Sequence, residues 1–224
     1  MIYGKNINLN IKNGNNKKNI LNNINFEIPK SSITCFVGKN GSGKTTLLRC
    51  LINLQKKYTG TINFEHKNLK KISNAERAKQ IGFVFQELNL FNNLTVLQNC
   101  TFPLMNLFNM CLPHAEKVVL NLLVQFDIEN IKDKYPSKLS YGQKQKVAIV
   151  RTLAIRPKIL ILDEPSSSLD LESKEKLANI LFDLNKQKLT IVLTSHDTAF
   201  VDSIYNRAYF LEDGHIVEFI DRKN

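Results

Sequence analysis

A glycine-rich segment near the N-terminus restricts what this chain can fold into more than any other feature. Residues 38–45 read Gly-Lys-Asn-Gly-Ser-Gly-Lys-Thr, between the β-rich run Ile33–Val37 and the apolar helical segment Thr46–Leu54. This order of strand, Gly-x-x-x-x-Gly-Lys-Ser/Thr and helix is that of a P-loop. Glycine allows several backbone amides to point at one spot, and the helix N-terminus adds the positive end of its dipole. The segment therefore predicts a phosphate-binding loop.

The side chains at the end of this loop have predicted roles of their own. We expect Lys44 to reach the β- and γ-phosphates of a nucleotide, and the Thr45 hydroxyl suits Mg²⁺. The predicted phosphate-binding residues are Gly38, Lys39, Asn40, Gly41, Ser42, Gly43, Lys44, Thr45 and Thr46.

A second part of the same site is predicted at a pair of carboxylates. Ile159–Leu162 is a continuous apolar run, as expected of a strand buried on both faces, and Asp163 and Glu164 follow it directly. A carboxylate at the end of such a strand can hold hydrated Mg²⁺, a role that we assign to Asp163. Because side chains alternate along a strand, the side chain of Glu164 is predicted to point to the opposite face from that of Asp163. There it would polarise an attacking water, which makes it the candidate catalytic base.

Strand patterns that alternate with helix patterns predict an α/β fold. Before the P-loop, alternating apolar residues indicate two edge-type strands joined by a polar hairpin around residues 13–18. Near the C-terminus, Asp213-Gly214 is typical of a hairpin turn. The other predicted strands are Thr61–Phe64, Ile81–Phe85, Thr190–Thr194, Tyr209–Glu212 and His215–Phe219.

Three helical stretches are predicted after the first helix. Residues 89–139 are expected to be largely helical, with interruptions at Pro103, Pro113 and Pro136. Ser140 begins a helix that runs to about Ile155, because Ser-x-x-Gln is a capping box. The third stretch is the amphipathic segment 171–188.

Composition and charge exclude several classes of protein. With 224 residues, 43% hydrophobic and 23% charged, the chain resembles an ordinary globular protein rather than a disordered, collagenous or disulfide-rich one. The net charge of +11 indicates a polyanionic neighbour: a nucleotide, a nucleic acid or an anionic membrane face.

No apolar run approaches the ~18 residues of a membrane span. The four cysteines lack CxxC spacing and no signal peptide is apparent, so we expect reduced thiols in the cytosol.

Four further short segments select a family. In chain order they are Gln86 at the end of Phe83–Gln86, the signature-like Leu139-Ser-Tyr-Gly-Gln143, Asp170 at the end of Ser167–Asp170, and His196 after Thr190–Thr194. They resemble the Q-loop, signature, D-loop and switch histidine of ATP-binding cassette (ABC) ATPases. Together with the P-loop and the carboxylate strand, six motifs occur in that family's order, and the resemblance covers essentially the whole chain.

The resemblance implies a fold and a mode of assembly. The expected fold is a single domain, 1–224, with a P-loop core and a mostly parallel sheet. An N-terminal antiparallel β subdomain and a helical subdomain inserted at about residues 89–157 complete it. ATP and Mg²⁺ would bind between two cassettes, so the chain would form a homodimer or pair with a second cassette subunit.

The resemblance also implies roles for individual residues. Within one site, Gln86 and His196 would join Glu164 as catalytic residues, and Gln86 would join Thr45 and Asp163 as a metal ligand. A different set would contact the nucleotide held by the other cassette: Ser140, Tyr141, Gly142, Gln143 and Asp170.

The sequence departs from the family pattern at two places. Tyr141 replaces the first glycine of the signature pair, so we expect an altered approach across the dimer and altered turnover. The loop at residues 13–18 lacks the aromatic residue that stacks on adenine in the family, and Tyr3 is the nearest candidate.

Several segments are similar to the ATP-binding subunits of bacterial polar amino acid importers, among them residues 47–52, 85–99 and 163–170. This resemblance implies amino acid import, with transmembrane permease subunits and a solute-binding protein as partners, at the cytoplasmic face of the inner membrane as a peripheral subunit. The apolar residues of the stretch 89–135 would form the subdomain's core and, in part, a groove for the permease.

Three alternatives remain open at this stage. One is the ATPase of a lipoprotein-release or macrolide-type exporter, since such subunits share a sequence like Gly82–Gln86. Another is a soluble ABC ATPase that acts on DNA or ribosomes, but one cassette without a long coiled coil argues against it, and no nucleic acid partner is expected. The third is a GTPase, for which Asn185-Lys-Gln-Lys188 lacks the carboxylate that would pair with guanine.

Overall fold

The structure is a computed structural model that describes residues 1–13 and 16–222. Its strands are β1 (Ile2–Asn13), β2 (Asn16–Ile28), β3 (Ile33–Val37), β4 (Thr59–Phe64), β5 (Lys67–Asn68), β6 (Ile81–Val84), β7 (Ile159–Leu162), β8 (Thr190–Ser195), β9 (Arg207–Glu212) and β10 (His215–Asp221). Its α-helices are α1 (Lys44–Leu51), α2 (Asn74–Gln80), α3 (Val96–Phe108), α4 (Leu112–Gln125), α5 (Tyr141–Ala154), α6 (Leu171–Lys186) and α7 (Thr198–Asp202). Short 3₁₀ turns occur at Leu69–Lys71, Glu129–Ile131 and Pro136–Lys138.

A six-stranded sheet in the order β10-β9-β3-β8-β7-β6 forms the centre of the fold. Every neighbouring pair from β9 to β6 is parallel, and β10 pairs with β9 in antiparallel fashion. The carboxyl ends of β3, β7 and β8 lie side by side because these strands pair in register, Val37 with Ser195 and Leu162 with Leu193. The loops that follow these three strands therefore meet at one edge of the sheet, as in other open α/β folds.

The central sheet is covered on both faces. Leu160 and Leu162 of β7 belong to a core with helices α3 to α6, whereas Ile159 and Ile161 belong to a second core with α1 and the antiparallel sheet. All four side chains are at most 1% exposed. This burial on both faces explains the uninterrupted apolar run that predicted the strand. The α/β fold with an antiparallel β part and a helical part is confirmed.

The second sheet corrects one prediction. Its order is β2-β1-β4-β5, so β1 is an internal strand between β2 and β4 rather than an edge strand. The pairing of β1 with β4 joins residues far apart in the sequence, which a local pattern does not reveal. The predicted hairpin between β1 and β2 is present up to the pair Asn13 and Asn16, and its tip, Gly14 and Asn15, lies outside the described residues.

One of the three prolines predicted to interrupt the helical part behaves differently from the prediction. Pro103 lies inside α3, and the helix continues through it. Proline removes one backbone donor there, and the buried Val96, Cys100 and Leu104 hold the helix against its neighbours. Pro113 and Pro136 stand at the beginnings of α4 and of a 3₁₀ turn, where a missing N–H costs nothing.

Two smaller predictions can be compared with the structure. In the part of the chain that is described, no helix combines the length and apolarity needed to cross a bilayer. The four cysteines are free, with Cys111 exposed and the others buried. Burial raises the pKa of the Cys50 and Cys100 thiols to about 12.

Asn99 in α3 holds the loop before that helix by its side chain, and its replacement tests the helical part of the fold. The fully buried amide accepts from the Phe91 N–H at 2.8 Å and donates to the carbonyls of Phe91 and Leu94, both at 3.0 Å. Asn99→Leu leaves these backbone groups without partners, so we expect the free energy of unfolding to fall by about 2–4 kcal/mol in urea titrations.

The control for this prediction is Asn106→Ala on the same helix. The exposed Asn106 side chain makes one bond, to the Phe102 carbonyl, so the change should be below about 1 kcal/mol. Equal unfolding midpoints for Asn99→Leu and the wild type would contradict the anchoring role.

Candidate active site

The loop after β3 turns sharply into α1 through two glycines. Gly41 and Gly43 have φ values of 85° and 105°, in the left-handed region that glycine adopts without strain. Gly43 is the N-cap of α1 and has no side chain to cap it. The first N–H groups of α1 therefore remain available to an anion, and the dipole of the helix favours negative charge at the same point.

Lys44 folds back over this loop and meets a buried carboxylate. Its Nζ donates to the carbonyls of Gly38 at 2.7 Å and Lys39 at 3.1 Å, and lies 3.0 Å from Glu164 Oε1. Both side chains of the ion pair are about 5% exposed. A phosphate placed at the loop would thus compete with Glu164 for the same ammonium group.

Asp163 is held by two hydroxyl groups at the edge of the sheet. Thr45 Oγ1 donates to Asp163 Oδ1 at 3.0 Å, and Thr194 Oγ1 donates to the same oxygen at 2.8 Å. The first contact joins α1 to the end of β7, and the second joins β7 to β8. The carboxylate is thereby fixed next to the first turn of α1.

Glu164 does not follow the predicted pleat, because β7 already ends at Leu162. Its φ is +48°, an uncommon value for a residue with a side chain, and its N–H donates to Thr194 Oγ1 at 2.9 Å. This backbone turns the carboxylate toward the loop, so that Oε1 faces Lys44 and Oε2 lies 2.9 Å from His196 Nδ1. Asp163 and Glu164 therefore serve one site.

His196 completes this group from the end of β8. Its side chain is 46% exposed, so the ring reaches solvent while it contacts the buried Glu164. The next residue, Asp197, caps α7 through the Phe200 N–H and pairs with Lys174. These contacts lower the pKa of the Asp197 carboxyl, with the Lys174 hydrogen bond as the largest cause.

A cavity of about 480 Å³ opens over this group, a volume in the range of small-molecule sites. Its predicted lining residues are Asn40, Gly41, Gly43, Lys44, Thr45, Thr46, Gln86, Glu164 and His196. Residues that the sequence reasoning had not assigned to the site also line it: Lys18, Ile20, Ser167 and Ser168. The structure thus brings most of the predicted site residues together.

Gly38, Lys39 and Asp163, which were predicted for the loop and the metal, contact the residues that line the cavity. Gly38 and Lys39 contribute the carbonyls that hold Lys44, and Asp163 is reached through Thr45. Ser42 is 5% exposed, and its Oγ makes no hydrogen bond within the described residues.

The region proposed for adenine differs from expectation. Tyr3 lies in β1, paired with Glu27 and Asn63, and does not appear among the described residues that line the cavity. Lys18 and Ile20 line it from β2 instead. The aliphatic Ile20 and the stem of Lys18 offer an apolar surface for a base without an aromatic stack.

The signature segment lies away from the cavity of its own chain. Ser140 is the N-cap of α5 and forms a capping box with Gln143, with contacts of 3.3 and 3.1 Å. A Cβ built at Gly142 meets no atom within 4 Å, so no packing inside the subunit requires glycine there. Asp170 caps α6 through the Ser173 N–H at 2.8 Å. Hydrogen bonds from Ser173 lower the pKa of the Asp170 carboxyl.

The donor groups predicted for the metal suit magnesium. A hydroxyl oxygen, a carboxylate and the amide of Gln86 are hard oxygen ligands of the kind that Mg²⁺ takes, usually with one or two carboxylates and substrate phosphates. Within residues 1–13 and 16–222, no cluster of three or more His, Cys, Asp or Glu side chains forms an all-protein cage for a metal. The residues present therefore fit a magnesium ion that is shared with a phosphate.

Thr194 is the main residue that sequence reasoning missed. It holds both Asp163 and the backbone of Glu164, but a threonine at the end of a strand has no motif of its own. The register of β7 and β8, Leu162 opposite Leu193, was the signal that could have placed Thr194 beside Asp163. That register is a property of the folded sheet.

Comparisons with known proteins point to one family. The ABC transporter family matches residues 21–167. The glutamate transport ATP-binding protein GluA of Corynebacterium glutamicum is 38% identical over 200 residues, which cover 88% of this chain and 83% of GluA. The glutamine transport ATP-binding protein GlnQ of Escherichia coli is 34% identical over 201 residues, covering 89% and 84%. The dimeric structure of MJ0796, a bacterial ABC transporter cassette, has a TM-score of 0.91 at 31% identity, with full coverage of both chains.

Removal of the Lys44 ammonium tests the phosphate site. Truncating one partner of a buried charge contact costs roughly 2–5 kcal/mol, so we expect Lys44→Ala to bind ATP at least about 30-fold more weakly. The measurement is a titration with a fluorescent ATP analogue. Lys57→Ala removes an exposed lysine and should change affinity by less than about twofold. Unchanged affinity in Lys44→Ala would refute the assignment of this loop.

Proposed function

The chain belongs to the ABC transporter family as its ATP-binding subunit, and on that premise we propose the residues, metal and partners with which it works. The observation that carries the proposal is the position of Glu164 between Lys44 and His196 at the edge of the cavity. It supports ATP hydrolysis at this site, with phosphate binding and water activation by neighbouring side chains.

The catalytic part of the proposal rests on charge competition at Lys44. When phosphate oxygens take the place of Glu164 at the ammonium group, the carboxylate is released to accept a proton from the attacking water. His196 holds the second carboxylate oxygen at 2.9 Å and so orients the base. Gln86 faces the same cavity and positions the water and the terminal phosphate.

Mg²⁺ is the proposed metal, with Thr45, Gln86 and Asp163 as the residues that hold it. The metal would neutralise charge on the phosphates. The chain's own contribution is to fix Asp163 by two hydroxyl donors to Oδ1, which would hold the carboxylate in place for the ion.

We assign the signature segment to the second nucleotide of a dimer. Ser140, Gly142 and Asp170 lie outside the cavity of their own chain, and the surroundings of Gly142 are open. Glycine near a helix start lowers helix propensity. The close approach of a partner therefore explains the glycine at position 142 better than packing inside the subunit does. The positive end of α5 then supplies an anion site for the partner's ATP. The solved MJ0796 cassette, to which this chain is similar, is itself dimeric.

The permease is proposed to dock on the helical part. Phe91 and Phe102 are 43% and 44% exposed, and their rings contact each other at an angle of 59° with ring centres 5.2 Å apart. Leu104, in contrast, is 2% exposed and belongs to the core. With Phe83, Pro103 and Leu107 they line a groove of about 440 Å³. An exposed aromatic groove of this kind suits an apolar helix of a partner.

An amino acid is the proposed cargo, because the names of GluA and GlnQ state glutamate and glutamine transport. Import would then require a solute-binding protein, and the subunit would sit peripherally on the cytoplasmic face of the membrane. An exporter is not favoured, since GluA and GlnQ are named for glutamate and glutamine transport. A GTPase is not favoured because Asn185 donates to the Leu189 carbonyl, just before the start of β8, at the opposite edge of the sheet from the cavity.

Glu164→Gln tests the catalytic base and the dimer together. The amide keeps the shape of the side chain but accepts no proton, so hydrolysis should fall at least about 100-fold while ATP still binds. ATP then stays in place and the protein should run as a dimer in gel filtration with Mg-ATP. Glu129→Gln, an exposed matched change, should hydrolyse like the wild type and stay monomeric under turnover. Wild-type turnover in Glu164→Gln would show that another group is the base.

Phe102→Asp tests the permease groove. A charge in a desolvated aromatic contact should weaken binding to membrane vesicles that contain the co-expressed permease by about 10-fold or more. Phe182→Asp places the same charge on α6, at a phenylalanine 38% exposed and outside the groove, and should bind like the wild type. Equal losses in both variants would place the docking surface elsewhere.

A further inference from the structure

Helix α5 holds the segment Gln86–Asn89 by side chains at two separate points. The Tyr141 hydroxyl donates to the Gln86 carbonyl at 3.3 Å. Nearly three turns later, Arg151 donates to the carbonyls of Leu88 at 2.8 Å and Asn89 at 2.7 Å. Helix α5 is therefore attached to both ends of the segment Gln86–Asn89.

The held segment has a backbone that needs support. Leu88 and Asn89 have φ values of 61° and 46°, which residues with side chains adopt only when their surroundings impose them. The guanidinium of Arg151 supplies two charge-assisted hydrogen bonds at this point. This end of the segment is thereby attached to α5.

Tyr141 stands between two functional groups of the chain. Gln86 lines the cavity of the same subunit, and Ser140, next to Tyr141, caps α5 where the partner's nucleotide is proposed to bind. The Tyr141 ring packs against the helical core, so the hydroxyl is presented from a fixed base. The family's glycine at this position has no side chain with which to make this contact.

A further contact joins α5 to the catalytic turn. Gln145, one turn after Tyr141 and 4% exposed, donates its amide to the Pro165 carbonyl, directly after Glu164. The first turns of α5 are thus attached both to Gln86 and to the turn that carries the base.

We propose that Tyr141 is a positioning residue that couples the two nucleotide sites of the dimer, through its hydrogen bond to Gln86. ATP in one subunit shifts Gln86, the hydroxyl passes the shift to the first turn of α5, and Ser140 meets the partner's nucleotide in a changed position. This inference rests on the proposed ATPase function and adds a residue-level link that is specific to the tyrosine.

Hydrogen exchange in dilute, monomeric protein tests this link directly. A non-hydrolysable ATP analogue should protect residues 38–46 and also change exchange at residues 141–144. A neutral hydrogen bond contributes a factor of roughly 2 to 10, so a change of that size is expected in the first turn of α5. Tyr141→Phe, which removes only the hydroxyl, should keep the protection of residues 38–46 and lose the response of residues 141–144.

Tyr135→Phe is the matched control. It removes a hydroxyl from a tyrosine that is 48% exposed and five residues before Ser140, and it should respond like the wild type. If residues 141–144 respond equally in Tyr141→Phe and the wild type, or respond in neither, Tyr141 is not the link. If residues 38–46 gain no protection in the wild type, the proposed function itself fails.

The second measurement concerns the dimer. In the Glu164→Gln background, Tyr141→Phe should lower the Mg-ATP-dependent association constant roughly 2- to 10-fold in sedimentation experiments, with ATP affinity of the dilute monomer unchanged. Tyr141→Gly, which also removes the ring, should weaken association at least as much. An unchanged association constant in Tyr141→Phe would show that the hydroxyl acts within one subunit only, and it would contradict the proposed role between the two nucleotide sites.

Discussion

The buried ion pair between Lys44 and Glu164 is the interaction on which the rest of the site depends. A buried charge that loses its partner costs about 3–5 kcal/mol, so each of these groups needs the other or a substitute. Phosphate is such a substitute for Lys44, because the P-loop amides and the start of α1 already favour an anion beside it. In the proposed mechanism, the exchange of one negative partner for another would link nucleotide binding to the availability of Glu164 as a base.

The topology of the sheet makes this pairing possible. Lys44 follows β3 and Glu164 follows β7, and these strands are separated in the sheet by β8 alone. Thr194 near the end of β8 holds the residues that follow β7, since it bonds both Asp163 and the backbone of Glu164. The neighbouring His196 leaves the same strand end. Three parallel strands thus bring Lys44, the pair of Asp163 and Glu164, and His196 to one edge of the sheet.

Much of the site could be predicted because its parts are local patterns. The glycine spacing, the buried strand before Asp163 and the capping box at Ser140 each follow from a few adjacent residues. What could not be predicted depends on contacts between distant segments: the internal position of β1, the left-handed backbone of Glu164, and the contact of Tyr141 with Gln86. Packing decided these features, and the continuous α3 through Pro103 is a further example.

The most direct test of the account is an experimental structure of the wild-type protein with Mg²⁺ and a non-hydrolysable ATP analogue. We expect a closed pair of chains in which a phosphate oxygen contacts Lys44 Nζ and the Glu164 carboxylate has left that ammonium group to face a water. Ser140 of the second chain should touch the same nucleotide. A bound nucleotide with the 3.0 Å contact between Lys44 and Glu164 still intact would contradict it.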